Sequence, residues 1–147
     1  MFLIKDEIDD AVKRLNIEVG YLDNKRYKEL VDNIIQKYAI DSKYRYPLWE
    51  NLVDPSSIQL STGWGKVGDY VANSKCILLT GIDSSEDLAV LINNGEDLHA
   101  ILSDTYGFVF YVTNPNIDYL LCFNDHDFLI ACGDAKNWIY LISPRLV

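Results

Sequence analysis

The sequence predicts an α+β fold in which N-terminal helices pack on a largely antiparallel sheet that also carries further helices. Two observations predict this class. Helical periodicity dominates the first forty residues, and from Cys76 onward short apolar runs are separated by turn-forming residues. Because helices come first and strands then follow one another in sequence, the order favours α+β over a doubly wound parallel sheet.

Length and composition predict one domain spanning residues 1–147. The chain is 49% hydrophobic and 24% charged, which is ordinary globular usage. A chain of 147 residues is long enough to bury a core without disulfides or metals. No internal repeat, linker or second domain is visible.

Two amphipathic helices are predicted at the start of the chain. Over residues 4–15, apolar side chains recur at helical spacing with charged residues between them. Asp23 and Asn24 then precede a second helix as capping residues. Its apolar face consists of Tyr27, Leu30, Val31, Ile34, Ile35 and Tyr38.

Residues 41–63 form an aromatic connector with Tyr44, Tyr46 and Trp49. Pro47 and Pro55 argue against one long helix there. We expect a short strand at 57–61 and then a weak helix over 64–71, because glycines inside a helix cost about 1 kcal/mol each relative to alanine.

The second half of the chain predicts strands with two more helices. Strands at 76–80 and 88–92 are expected to pair as a hairpin. Asn94 caps a helix with Gly107 just past its end. Strands at 108–113, 119–124 and 128–132 follow as a meander, and a last helix over 135–142 places Trp138, Ile139 and Ile142 on one stripe.

The turn between the last two strands is expected to pair Phe123 with Phe128. One face then carries Tyr119, Leu121, Phe123, Phe128, Ile130 and Cys132, and the other carries Leu120, Cys122, Leu129 and Ala131. Both faces are apolar, so these strands are predicted to be central and covered on both sides.

Charge and cysteine content bound the partners and the compartment. The net charge of −9 repels nucleic acid and anionic lipid, so a macromolecular partner is expected to be a basic protein. No apolar run is long enough to cross a membrane, and Met1 to Glu7 turn acidic before a signal-peptide core could form. Three cysteines without an export signal predict reduced, buried thiols and a cytoplasmic protein.

No residue pattern predicts a catalytic, cofactor or metal site. Asn124 to Asp127, with Cys122 and Cys132 nearby, could be a metal site, but a polar turn is the expected use of these residues. His99 has no nucleophile at a recognisable spacing. Residues 63–68 resemble a dinucleotide fingerprint but lack the preceding βαβ context.

The candidate partner-binding residues are aromatic or acidic. Tyrosine and tryptophan are enriched among residues that dominate binding energy. The set comprises Tyr44, Tyr46, Trp49, Trp64, Asp125 and Asp127. The alternative is that the connector packs across the sheet and that Trp64 anchors its loop in the core.

Four segments carry a resemblance to a known group of proteins. They are residues 45–52 (RYPLWENL), 107–114 (GFVFYVTN), 118–124 (DYLLCFN) and 130–136 (IACGDAK). Together they resemble a family of small uncharacterised bacterial proteins, which implies a bacterial cytoplasmic protein and assigns no catalytic residues. More distantly, the size, acidity and order of elements are similar to immunity proteins of the SUKH superfamily, which neutralise toxins by binding them.

Two functional hypotheses follow. The first is a non-enzymatic binding protein of the immunity or inhibitor type, whose acidic surface covers a basic toxin domain. The second is a small-ligand-binding or enzymatic domain with a pocket between the sheet and its helices. A self-associating structural subunit is a third possibility, and the sequence leaves the oligomeric state open.

Overall fold

The computed structural model describes residues 3–105 and 107–143. The residues outside this description are Met1 and Phe2, Tyr106, and residues 144–147. All of them belong to the predicted domain, and Met1 and Phe2 also belong to the segment on which the export prediction depends. The described strands are β1 Val19–Tyr21, β2 Ser56–Gln59, β3 Cys76–Thr80, β4 Leu88–Ile92, β5 Phe110–Thr113, β6 Tyr119–Phe123 and β7 Phe128–Gly133. They form a seven-stranded antiparallel sheet in the order β1-β4-β3-β5-β6-β7-β2.

Helices cover both faces of this sheet. The helices are α1 Ile4–Leu15, α2 Asn24–Tyr38, α3 Val67–Val71, α4 Gly95–Ser103 and α5 Lys136–Ile142, with short 3₁₀ segments at Ile40–Ser42, Leu48–Glu50 and Gly63–Lys66. The predicted α+β class with a largely antiparallel sheet is confirmed. None of the helices in the described ranges has the length and apolar character needed to span a membrane.

The helices form a separate hydrophobic core with each face of the sheet. One core, here the four-helix core, packs α1, α3, α4 and α5 on one face of the sheet. The other, here the α2 core, packs α2 and the connector on the opposite face. Successive strand residues alternate between the cores: Leu78 belongs to the four-helix core, whereas Ile77 and Leu79 belong to the α2 core.

The helix starts follow from local capping chemistry. The Asp23 side chain accepts the Arg26 N–H at 2.8 Å at the start of α2, and Asn94 accepts the Asp97 N–H at 2.8 Å at the start of α4. In α1, acidic residues occupy the first turn and basic residues the last, which suits the helix dipole. The predicted starts of α1, α2 and α4 are confirmed.

Several predicted boundaries differ from the structure. Strand β1 was not predicted; it is three residues long, lies between the first two helices, and forms one edge of the sheet. The weak helix over 64–71 is a 3₁₀ segment followed by the short α3. Helix α4 ends at Ser103, before Gly107, and the Thr105 hydroxyl satisfies its terminal carbonyls by sharing its hydrogen between Ile101 at 3.0 Å and Leu102 at 3.3 Å.

The predicted register between β6 and β7 is wrong by one residue. Phe123 pairs with Leu129, because the Asn124 N–H donates to the Phe128 carbonyl and leaves a three-residue loop. Asp127 closes that loop at φ 62°, as hairpin loops of this length require. The shift exchanges the faces of all β7 residues. Leu129 and Ala131 join the four-helix core, whereas Ile130 and Cys132 join the α2 core.

This correction changes the relation between two cysteines. Cys122 and Cys132 were expected on opposite faces, but both lie in the α2 core. The prediction that both faces of β6 and β7 are buried is confirmed, since every residue of β6 is buried and helices cover both sides.

Candidate functional site

An open cavity of about 370 Å³ lies near α4, where β5 begins and β6 ends. The 3₁₀ segment Gly63–Lys66, the end of α4, the residues that lead into β5 and the β6–β7 turn surround it. We call it the aromatic cavity. Its defining residues are Trp64, Phe108, Phe110, Phe123, Asp125 and Asp127.

Three phenylalanine rings line one wall of the aromatic cavity. The ring centroids of Phe108 and Phe110 are 6.1 Å apart with an edge-to-face angle of 71°. Phe110 and Phe123 are 6.2 Å apart with an interplanar angle of 29°. Phe110 and Phe123 are buried, whereas Phe108 is half-buried. The rings therefore fix one another, and the wall offers a preformed apolar surface.

Trp64 reaches the cavity because the chain before it runs close to the sheet. A Cβ atom on Gly63 would lie 3.2 Å from the Phe123 ring and 3.3 Å from the Leu129 Cβ atom. The indole ring stacks on His99 of α4, with centroids 5.8 Å apart and an interplanar angle of 11°. Trp64 is therefore held from α4 as well as from its own loop.

A close crossing of α3 and α4 sets the position of His99. A Cβ atom on Gly95 would lie 2.0 Å from the Gly68 carbonyl oxygen, and one on Gly68 would lie 2.6 Å from the Gly95 carbonyl oxygen. The Gly95 N–H donates to the Ala72 carbonyl at 2.7 Å. Only glycine allows this separation, so the two glycines place α4 against Trp64.

Asp125 and Asp127 stand on the β6–β7 turn at the edge of the cavity. The buried Asn124 side chain holds the turn, since its oxygen accepts the N–H groups of His126 at 3.0 Å and Phe128 at 3.1 Å. The Asp127 carbonyl also accepts the Leu60 N–H at 2.9 Å. Both carboxylates are therefore exposed on a turn whose backbone is fixed at both ends.

The two carboxylates have no basic partner among the described residues within 4.0 Å, apart from the His126 ring, whose Nε2 lies 3.6 Å from Asp125 Oδ1. Asp104, near the end of α4, differs in this respect. Its carboxylate accepts from Arg14 Nε at 2.9 Å. The charge of Asp125 and Asp127 is thus available to a cation from outside the chain.

The structure brings together three of the six candidate partner-binding residues. Trp64, Asp125 and Asp127 line the aromatic cavity, whose base lies on the four-helix side of the sheet. The other three, Tyr44, Tyr46 and Trp49, lie with the connector on the α2 side. Tyr46 is 72% exposed, Tyr44 is 38% exposed, and Trp49 packs against the α2 core.

A single carboxylate anchors the connector to the sheet. Asp83 accepts the Tyr44 hydroxyl at 2.7 Å, the Leu48 N–H at 2.8 Å and the Tyr111 hydroxyl at 2.6 Å. Burial, together with Cys122 and Asp83, raises the pKa of Tyr111 far above its usual range. Tyr44 therefore has a structural partner within the chain, and Tyr46 is the connector aromatic with the most accessible ring.

The cysteines are placed as core residues. Burial raises the pKa of the Cys76 thiol to about 12 and that of Cys132 to about 11, and it raises the pKa of Cys122 well above its usual range. All three thiols are free and buried. Burial therefore disfavours the thiolate, which is the form that acts as a nucleophile or a metal ligand.

A second, more polar cavity of about 270 Å³ lies near Tyr70, Asn114, Asp118 and Asp134. The Asn114 amide donates to the Asp118 carboxylate at 2.8 Å, and the Asp118 N–H donates back to the Asn114 side chain at 2.9 Å. Asp118 is thus committed to its own loop. This cavity offers less apolar wall and fewer available charges than the aromatic cavity.

Sequence reasoning missed the phenylalanines of the cavity and the role of Asp83. Phe108 and Phe110 are two residues apart, a spacing that places side chains on one face of a strand, so a signal for a shared aromatic surface was present. Nothing local distinguishes Asp83 from other turn residues, because its three donors come from distant parts of the chain.

Within residues 3–105 and 107–143, no three His, Cys, Asp or Glu side chains are grouped so as to hold a metal ion. No protein-family model matches the chain, and neither curated proteins nor solved structures gave a significant match.

Proposed function

We propose that this protein is a non-enzymatic binding protein of the immunity or inhibitor type, which covers a basic protein such as a toxin domain. The observation that carries the proposal is the aromatic cavity, where a preformed aromatic wall stands beside two carboxylates that lack lysine or arginine partners among the described residues. Such a surface is complementary to a cationic group on a partner.

The overall charge supports the same partner chemistry. A net charge of −9 attracts a basic protein over a distance set by the ionic strength and speeds its encounter. Aromatic residues then supply contact area at low entropic cost, because their side chains are already fixed. The proposal includes a cytoplasmic location, in which the three buried thiols stay reduced.

The test compares two variants of equal charge. In Asp125→Asn/Asp127→Asn, both cavity carboxylates are neutral. In Glu29→Gln/Asp32→Asn, two exposed carboxylates of α2, on the opposite side of the sheet, are neutral instead. Each tagged protein is purified from its native cells at low salt, and co-purifying proteins are identified and quantified by mass spectrometry.

We expect the wild type and the α2 variant to retain one stoichiometric basic protein that dissociates with added salt, and the cavity variant to lose most of it. An acidic or substoichiometric co-purifying protein would contradict the proposal. Equal loss from both variants would show that net charge, and not the aromatic cavity, determines binding.

The second candidate is a protein that binds a small cationic ligand. The cavity volume of about 370 Å³ supports it, since ligand pockets commonly range from about 300 to 1,000 Å³. A thermal-shift screen of small amines and guanidines distinguishes the two candidates. A free amine that stabilises the purified chain at micromolar concentration, with no co-purifying protein, would favour the small ligand.

A further inference from the structure

We propose that the aromatic cavity holds the guanidinium group of an arginine side chain that the basic partner presents. This inference rests on the proposed binding function and adds the chemistry of the contact. It follows from three properties of the cavity. An aromatic wall lines it, two carboxylates stand at its edge, and hydrogen bonds hold the backbone of the turn that carries these carboxylates.

The aromatic wall selects for a weakly hydrated cation. Trp64 and Phe108 are half-buried, whereas the Phe110 and Phe123 rings are buried, so a cation that enters the cavity exchanges water mainly for the first two rings. A lysine ammonium is compact and strongly hydrated, so this exchange costs it more. A guanidinium group is planar and delocalised, is weakly hydrated, and stacks on aromatic rings.

The carboxylates select for the same group. Asp125 and Asp127 both border the cavity, on one turn. Arginine has five N–H donors in a rigid fork, so one guanidinium group can donate to two acceptors at once while its plane rests on a ring. Lysine presents a single charge on a flexible stem and has no planar face.

Contacts within the chain hold the turn backbone and the Trp64 ring in place before binding. Asn124 fixes the turn through its hydrogen bonds to His126 and Phe128, and His99 stacks on Trp64 from α4. A preformed site loses little conformational entropy on binding, so two exposed carboxylates contribute more here than they would on a mobile loop.

The test uses two short peptides in place of the partner. Acetyl-Gly-Arg-Gly-amide and acetyl-Gly-Lys-Gly-amide are titrated into the isotope-labelled full chain, and chemical shifts are followed by NMR. We expect the arginine peptide to shift the Trp64 indole N–H and the backbone amides of residues 124–128. We also expect it to bind roughly threefold or more tightly than the lysine peptide.

Asp125→Asn/Asp127→Asn should weaken binding of the arginine peptide about fivefold, because each exposed charge pair contributes modestly. Glu29→Gln/Asp32→Asn should leave it unchanged. These four residues are exposed, so the variants are expected to fold. Trp64→Leu adds a test of the aromatic wall, with spectral dispersion as the check on its fold.

Equal affinity for the two peptides, or shifts centred away from the cavity, would overturn the guanidinium inference. That result leaves the proposed function standing if the cavity variant still loses the basic partner. Conversely, tight arginine-peptide binding with an unaffected partner would mean that the partner docks elsewhere. The two failures are therefore distinguishable.

Discussion

Replacing Gly95 with alanine tests the close crossing of α3 and α4 that positions Trp64 and His99. The new Cβ atom would lie 2.0 Å from the Gly68 carbonyl oxygen and 2.9 Å from the Ala72 nitrogen. Real Cβ contacts essentially never fall below 3.0 Å, so the helices must separate by at least 1.0 Å along this contact. Both neighbours are backbone atoms, which cannot rotate away as a side chain could.

Three contributions determine how much this substitution changes the free energy of unfolding. Overpacking of a well-packed contact costs about 1–3 kcal/mol. Separation also breaks the 2.7 Å hydrogen bond from the Gly95 N–H to Ala72, which contributes about 1 kcal/mol. Alanine regains about 0.5–1 kcal/mol because it restricts the unfolded chain. We therefore expect Gly95→Ala to lower the free energy of unfolding by about 2 kcal/mol, within a range of about 1–3.5 kcal/mol, compared with the 5–15 kcal/mol typical of a domain.

Urea unfolding followed by circular dichroism measures this change, and the chain offers a graded series. Gly68→Ala should cost less, because its Cβ atom would meet the Gly95 carbonyl oxygen at 2.6 Å. Gly65→Ala is the matched control, since its Cβ atom would meet only the His99 ring at 3.6 Å, an ordinary contact. A loss below about 1 kcal/mol for Gly95→Ala, or a loss equal to that of Gly65→Ala, would refute the reasoning.

Three further predictions concern the core. Asp83→Ala should lower the free energy of unfolding by about 3 kcal/mol, because it leaves the buried Leu48 N–H and Tyr111 hydroxyl unpaired. Tyr44→Phe should lower it by less than about 1 kcal/mol. Urea unfolding of each variant measures these changes, and equal effects would contradict the shared role of Asp83. The thiols of the native protein should not react with an aromatic disulfide reagent at about pH 8, whereas all three should react when urea unfolds the protein. Fast modification of any thiol in the native protein would contradict their burial. Burial raises the pKa of Tyr38 from 10.0 to about 12, so its contribution to stability is present below pH 10 and falls as the pH rises toward 12. Tyr38→Phe should reduce this loss of stability at alkaline pH. Identical pH profiles of stability for the two proteins would refute this prediction.

Much of the fold was readable from local patterns. The periodicity of α1 and α2, the capping residues Asp23 and Asn94, and the apolar runs of β3 and β4 all act within a few residues, and the structure confirms these elements. Double-sided burial of β6 and β7 was also visible, because neither face carries a polar stripe.

The register of the β6–β7 hairpin was not readable in this way. Both faces are apolar, so exchanging them leaves the hydrophobic pattern equally satisfied. The hydrogen bonds of Asn124 and the positive φ of Asp127 decide the loop length, and with it the face on which Cys132 lies.

For this protein, the sequence alone determined the fold class, the acidic charge and the expectation of a basic partner, because these depend on composition and on periodicity within single elements. The tertiary structure decided which candidate residues share a surface. Trp64 and the Asp125–Asp127 turn are about sixty residues apart in the chain, and they meet because Gly63 lies close to the Phe123 ring. Tyr44, by contrast, is drawn to Asp83 on the other side of the sheet. Such contacts depend on distances between separate elements, which no local pattern encodes.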